Sequence, residues 1–422
     1  MSLNTPAFTG WPKEPEWMKA FRARARAEAT DQPWPHRRVE EWHRTDVTGF
    51  QFENRQPLPA QQGAVKAGSP LEGFSGYLKS DGATVTVWLS PALTEQGVQL
   101  LPLGDVILGK GVAKPDALDA VFSEMLRQVD NKVPALHAAL LGSGVFLSVP
   151  AQVVIEAPLL IELTEAQQDS LSSPHVVINA GRASQFQVVL RRSSSEAPLT
   201  VNSGMQLLLD EGAVVTLVDV QEYGSQTAWV DHSQARLGRD AQLFHWSAQL
   251  GGRLVKTDLA LNLEGEGASL KTHGLYFAVQ DQHKDIRVVQ NHRAPNTSSY
   301  ALYKGAVRDR SRTVFQGLIE VAPQAPRTDA YLSNKNLVLT DGARADSLPQ
   351  LKIDTNDVKC SHGSTTGKVN EDEVFYLMSR GFSRAEARLL IAEGLFADLI
   401  AEAPEFLRQD IEGYVVRALG AP

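Results

Sequence analysis

From about Gly144 to Lys359 the chain runs in short stretches rich in Val, Ile, Leu, Thr and aromatics, many of them alternating strictly between apolar and polar residues. A period of two marks a strand, because successive side chains point to opposite faces of a sheet. Val255, Thr257, Leu259, Leu261 and Leu263 share one face while Lys256, Asp258 and Asn262 share the other, and Phe315, Gly317, Ile319 and Val321 repeat the pattern. Turns of Gly or Asp with a small residue introduce many of these strands: Gly181-Arg-Ala183, Gly212-Ala213, Asp240-Ala241, Gly267-Ala268 and Gly342-Ala343. A unit of about 30 residues without helices between strands favours the coils of a parallel β-helix, in which each coil buries its apolar face on its neighbours. The wide gap between Gly267 and Gly342, with the polar insert Gln280 to Asn296, blurs the period, and a β-sandwich stays open.

Both ends read as helix. Trp17, Phe21 and Ala25 recur every four positions among charged residues, the pattern of an amphipathic helix. Residues 50–82 look mostly irregular. Asp116 to Leu141 is helical again, with a break expected near Pro134. After Val369, Asn370 precedes Glu373 and Ser383 precedes Glu386 by three residues, a reciprocal capping spacing. Gly381 ends the first of these helices. A last helix from Pro404 carries Leu407, Ile411, Tyr414, Val415 and Ala418 on one stripe. Such helices either cap an open solenoid end or recruit a partner. The expected architecture is mainly β: a mostly helical N-terminal domain over 1–142, a parallel β-helix core over 143–366 and a helical C-terminal domain over 367–422.

Composition narrows the function. The 43% hydrophobic content supports a sizeable core, and 41 basic against 49 acidic residues, net −8, leave no basic run to track a phosphate backbone. Nucleic acid is therefore not an expected partner. No segment approaches the roughly 18 to 20 apolar residues needed to span a bilayer, and the first residues carry no secretion signal, so a cytoplasmic protein is expected. Asn296-Thr297-Ser298 then reads as a polar turn, not a glycosylation site. The single cysteine, Cys360, excludes an internal disulfide and suits a reducing compartment.

The densest chemistry lies in Asp357-Val-Lys-Cys360-Ser-His362-Gly363-Ser-Thr-Thr-Gly367-Lys368. In a strand, Cys360 and His362 share a face, and a thiolate beside an imidazole is half of a soft-metal or cluster site. Four ligands are usually needed, so another chain or labile ligands must complete it; alone, such a pair is better explained by packing. Gly363 to Gly367 is one residue short of a phosphate-binding loop, and Val369 replaces its Ser or Thr. Gly265-Glu-Gly267 lacks the third glycine of a dinucleotide fingerprint and reads as a turn. His273, His283 and His292, with Asp281 and Asp285, show no ligand spacing and are expected in a solvated loop. No nucleophile elbow or Ser, His, Asp constellation stands out.

The segments His292-Arg-Ala-Pro295, Tyr303-Lys-Gly305, Val314-Phe-Gln-Gly317, Asn336-Leu337, Leu348-Pro349, Val358-Lys-Cys360-Ser-His362-Gly363 and Phe375-Tyr-Leu-Met-Ser-Arg-Gly381 closely resemble the SufB/SufD family of iron-sulfur cluster assembly proteins. The stretch Arg37-x-x-x-Glu41-Trp-x-Arg-Thr45 resembles that family's N-terminal motif, and Cys-Ser-His-Gly before the Phe-Tyr-Leu helix resembles its SufD branch. The resemblance implies a right-handed parallel β-helix flanked by helical domains, acting as a non-enzymatic scaffold subunit with SufB and the ATPase SufC. It implies a SufB contact at the β-helix end near Cys360 to Gly363, and a SufC contact through the C-terminal helices, about Asn370 to Ala403. His362 would hold iron or a nascent cluster together with a SufB cysteine, and Cys360 would assist or merely pack. The cluster would be transient and shared with SufB, with none bound tightly by the isolated chain, whose homodimerisation through the same surface stays open. The alternatives are a SufB-like chain acting without a separate SufD, an exported-type β-helix carbohydrate enzyme, and a purely structural adaptor.

Overall fold

The computed structural model describes residues 8–61, 64–110, 115–127, 130–405 and 408–419. Two 11-stranded sheets face each other, and the chain passes alternately from one to the other. One sheet stacks Thr200–Leu209, Ala228–Leu237, Leu254–Leu263, His283–His292, Arg312–Val321 and Arg344–Ile353, all in parallel. The other stacks Gln185–Ser194, Val214–Glu222, Gln242–Gln249, Ser269–Ala278, Ser298–Val307, Thr328–Val338 and Val358–Lys368, also in parallel. This is a parallel β-solenoid, and a sandwich is excluded by the strand order.

The alternation dictates the packing. Inward-facing residues stack coil on coil, as in the ladder Leu209, Leu237, Leu263, His292, Val321, Ile353. All but Ile353 are buried. Burying each such leucine contributes about 2 kcal/mol, which only a neighbouring coil can supply. Between the sheets the chain turns through left-handed residues at Ala183, Gly212, Asp240, Gly267, Asn296 and Arg327. Asn296 and Arg327 occupy the turns that follow those of Gly212, Asp240 and Gly267, which is why the repeat fades in the sequence beyond Gly267.

The first 142 residues contribute strands as well as helices. Gly76–Ser80 pairs with Leu159–Glu165, and Gln99–Pro102 pairs with Ser143–Val149, extending both sheets at their first end. The helices Pro115–Arg127 and Lys132–Leu140 separate before Lys132, not at Pro134. Pro134 falls within the first turn of the second helix, where its missing N–H costs little. Helix Glu16–Asp31 buries Met18, Phe21, Ala25 and Ala29.

The C-terminal helices do not cap the solenoid. Arg384–Glu402 and Arg408–Leu419 lie on the outer face of the second sheet, where Phe396, Leu399, Ile411 and Val415 pack among Val218, Trp246 and Phe277. The ring centroids of Phe277 and Phe396 lie 4.6 Å apart. Asn370 caps Glu371–Ser379 through the Asp372 amide, and Ser383 and Glu386 form the reciprocal capping box of the next helix. The final helix begins at Arg408, so Leu407 lies outside the described residues. Among the described residues, no helix is long and apolar enough to cross a membrane.

Candidate functional site

The two ends of the solenoid differ. Strands from the N-terminal region extend the sheets at the first end, whereas Arg344–Ile353 and Val358–Lys368 are terminal strands at the other. Each presents a row of backbone donors and acceptors that no described residue pairs in the sheet, a template for strand addition. Interior residues of this last coil are correspondingly uncovered, with Leu351 38% and Ile353 37% exposed. We call this end the mouth.

Register places the chemistry there. Cys360 pairs with Ala330 and His362 with Leu332, both inward-facing and fully packed, so thiol and imidazole point into the mouth about 6.6 Å apart along the strand. Cys360 is half-buried against the interior core, and His362 is exposed. Burial pushes the Cys360 thiol above its ordinary value, only partly offset by a backbone hydrogen bond at Ala330. The thiol of the free chain is thus held protonated, and ligation would have to release that proton. Among the described residues, no group of three or more His, Cys, Asp or Glu is arranged to hold a metal ion. A site built on Cys360 and His362 would draw its other ligands from elsewhere.

The motif segments alternate between lining the lumen and anchoring what surrounds it. Tyr303 and Tyr276 lie in the lumen, and each ring sits over a glycine of the adjacent strand, Gly274 and Gly305 respectively. Lys304, between Tyr303 and Gly305, points outward, donates to the Leu395 carbonyl at 2.7 Å and pairs with Asp398, tying the C-terminal helix down. Gln316 does the same for the N-terminal motif, donating to the Asp285 carboxylate at 2.7 Å and the Glu41 carbonyl at 3.2 Å. Thr45 donates to Asp285 at 2.5 Å and meets His283 at 2.8 Å, while Trp42 lies beneath the Lys256 ammonium. Gly317 leaves room for Leu332.

The histidines expected in a solvated loop are instead dispersed on strands and largely buried. His273 lies on the outer face beside Glu402; His292 is in the lumen, bonded to Thr297 at 2.7 Å and Ser299 at 2.8 Å. Burial holds His273, His283 and His292 down at about 4. They are structural neutral imidazoles on three different surfaces and do not converge.

A second exposed surface lies on the C-terminal helices. Phe375 is 73% and Tyr376 56% exposed, with Met378, Phe382 and Leu390 also uncovered. Large apolar side chains left uncovered on a capped helix and its neighbour make a candidate interaction surface.

Sequence reading found Cys360 and His362 but missed Ser347, Leu351, Ile353 and Ser364, which share the mouth. Continuing the period of two to the end of each terminal strand would have located them.

The sequence that builds this solenoid matches a known class. The SufBD core domain of the SUF iron-sulfur cluster system matches residues 163–395. An iron-sulfur cluster assembly SufBD family protein of Mycobacterium tuberculosis is 31% identical over 328 residues, covering 76% of this chain and 77% of the relative. The chain belongs to the SufBD family of iron-sulfur cluster assembly proteins. It is also similar to proteins named SufD: that of Bacillus subtilis is 28% identical over 412 residues, 94% of this chain and 93% of the relative. That of Escherichia coli is 29% identical over 346 residues, 71% and 81% respectively.

Proposed function

We propose that the chain is the SufD-type scaffold subunit of a cytoplasmic complex with SufB and the ATPase SufC, and that a nascent iron-sulfur cluster is built where its mouth meets SufB. The observation that carries this reading is the mouth itself, where two terminal strands and uncovered apolar interior residues surround the pair Cys360 and His362. A second β-helix end would complete both sheets, cover Leu351 and Ile353 and bring the missing ligands. His362 then ligates iron through a neutral imidazole nitrogen, and Cys360 assists once its proton has left. The exposed apolar surface around Phe375 and Tyr376 suits the SufC contact. The chain contributes ligands and geometry, and turnover belongs to the ATPase.

Co-expression with the host's SufB and SufC, followed by size exclusion and iron and sulfide analysis, tests the proposal. A stable complex whose cluster content falls in His362→Ala, with assembly intact, is expected. Recovery of this chain alone, or full cluster content in the variant, would remove the scaffold or the ligand role respectively.

A further inference from the structure

We propose that Ser364, with Ser347 facing it across the mouth, donates hydrogen bonds to the sulfide of the cluster that His362 holds; this rests on the preceding reading.

In the coil below the mouth, Gly317 and Leu332 meet across the lumen, a Cβ at Gly317 lying only 2.5 Å from a Leu332 methyl. The registers Gly317 to Pro349 and Leu332 to His362 carry that contact one coil further, setting Pro349 opposite His362. Two residues away in the direction that leaves the 354–357 turn behind, Ser347 then faces Ser364; two residues the other way, Leu351 faces Cys360. The mouth is divided into an apolar half beside the thiol and a hydroxyl half beyond the imidazole.

Among the described residues, neither hydroxyl has a side-chain hydrogen-bond partner. Ser347 Oγ is buried without a hydrogen-bond partner among the described residues, a state that an incoming acceptor would relieve. Ser364 is exposed and stacks on Asn334. The floor beneath it is closed, because Asn334 donates to Tyr276 Oη at 2.8 Å, Tyr276 donates to Asn336 at 2.6 Å, and Asn336 donates back to Asn334 at 2.7 Å. With Asn334 so occupied, the Ser364 hydroxyl is left to face outward. It lies about 6.6 Å along the strand from His362, so a sulfide of a cluster bound through that imidazole comes within its reach. Hydrogen bonds to cluster sulfur disperse negative charge and raise the reduction potential.

The test uses the co-expressed complex carrying Ser364→Ala, the Ser347→Ala/Ser364→Ala pair, or Ser364→Thr, with iron and sulfide content and reduction potential as readouts. The expected result is normal cluster content with a potential shifted negative in the alanine variants, more so in the pair, and restored by threonine. An unchanged potential at normal content would overturn the proposal, as would a loss of cluster common to alanine and threonine, which would assign the position to packing. A wild-type complex without any cluster would instead sink the reading on which it rests.

Discussion

Gly305→Ala should be among the most damaging single-atom additions in the solenoid. The new Cβ would lie 2.0 Å from Cε2 of Tyr276 and 2.5 Å from Cζ, whereas carbon atoms pack at about 3.5 to 4.0 Å. Roughly 1.5 Å must be found, and the ring cannot simply swing aside because its hydroxyl is bonded to both Asn334 and Asn336 inside the lumen. Overpacking alone costs about 1 to 3 kcal/mol, and each forfeited hydrogen bond adds about 1 kcal/mol, so a loss of about 2 to 5 kcal/mol is expected. Gly363→Ala is the control, since nothing lies within 4 Å of its added Cβ. Urea unfolding of both variants, followed by far-UV circular dichroism, gives the comparison. A Gly305→Ala protein within about 0.5 kcal/mol of wild type would refute the interlocked tyrosine-glycine packing.

Three further outcomes follow from buried and exposed groups. Burial lowers the Lys284 ammonium from 10.5 to about 7, so its folded-state cost is full below pH 7 and fades as pH rises toward 10.5; Lys284→Met, which also forfeits the ammonium's bond to the Gly251 carbonyl, should stabilise by roughly 3 kcal/mol at pH 6 and by little or nothing at pH 10, as unfolding free energies at the two pH values would show. His137, His245, His283 and His292 are held down at about 4 by burial. Their contribution to stability is intact above the unfolded value near 6.5 and is lost as pH falls toward 4, so urea midpoints should drop steeply across that window and flatten there in variants lacking these imidazoles. Phe375→Asp should leave the melting temperature unchanged while weakening binding of the proposed SufC partner at least tenfold by calorimetry; unchanged affinity would move that contact off this helix.

The strands of the core were legible because their apolar residues alternate with a period of two, and Cys360 and His362 could be assigned to one face on the same ground. That period fits a β-sandwich equally, and the resemblance to the SufB/SufD family put the β-helix ahead. The strands at Gly76–Ser80 and Gln99–Pro102 were not, since they complete a sheet whose partners lie far along the chain. The histidines at 273, 283 and 292 misled because polarity suggested solvent, while alternation sends each into a different layer, with His283 bonded to the distant Thr45 and His292 to Thr297 and Ser299. The C-terminal helices showed their caps in the sequence, but only Lys304 and the apolar outer face of the second sheet reveal that they dock on the side and leave the mouth open.

The central claim, that this chain supplies an imidazole to a shared cluster, is tested most directly by pulsed electron paramagnetic resonance of the reduced complex with only this subunit labelled with 15N-histidine. The account predicts a 15N coupling to the cluster that disappears in His362→Ala. A cluster without that coupling, or one that keeps it in the variant, would contradict it.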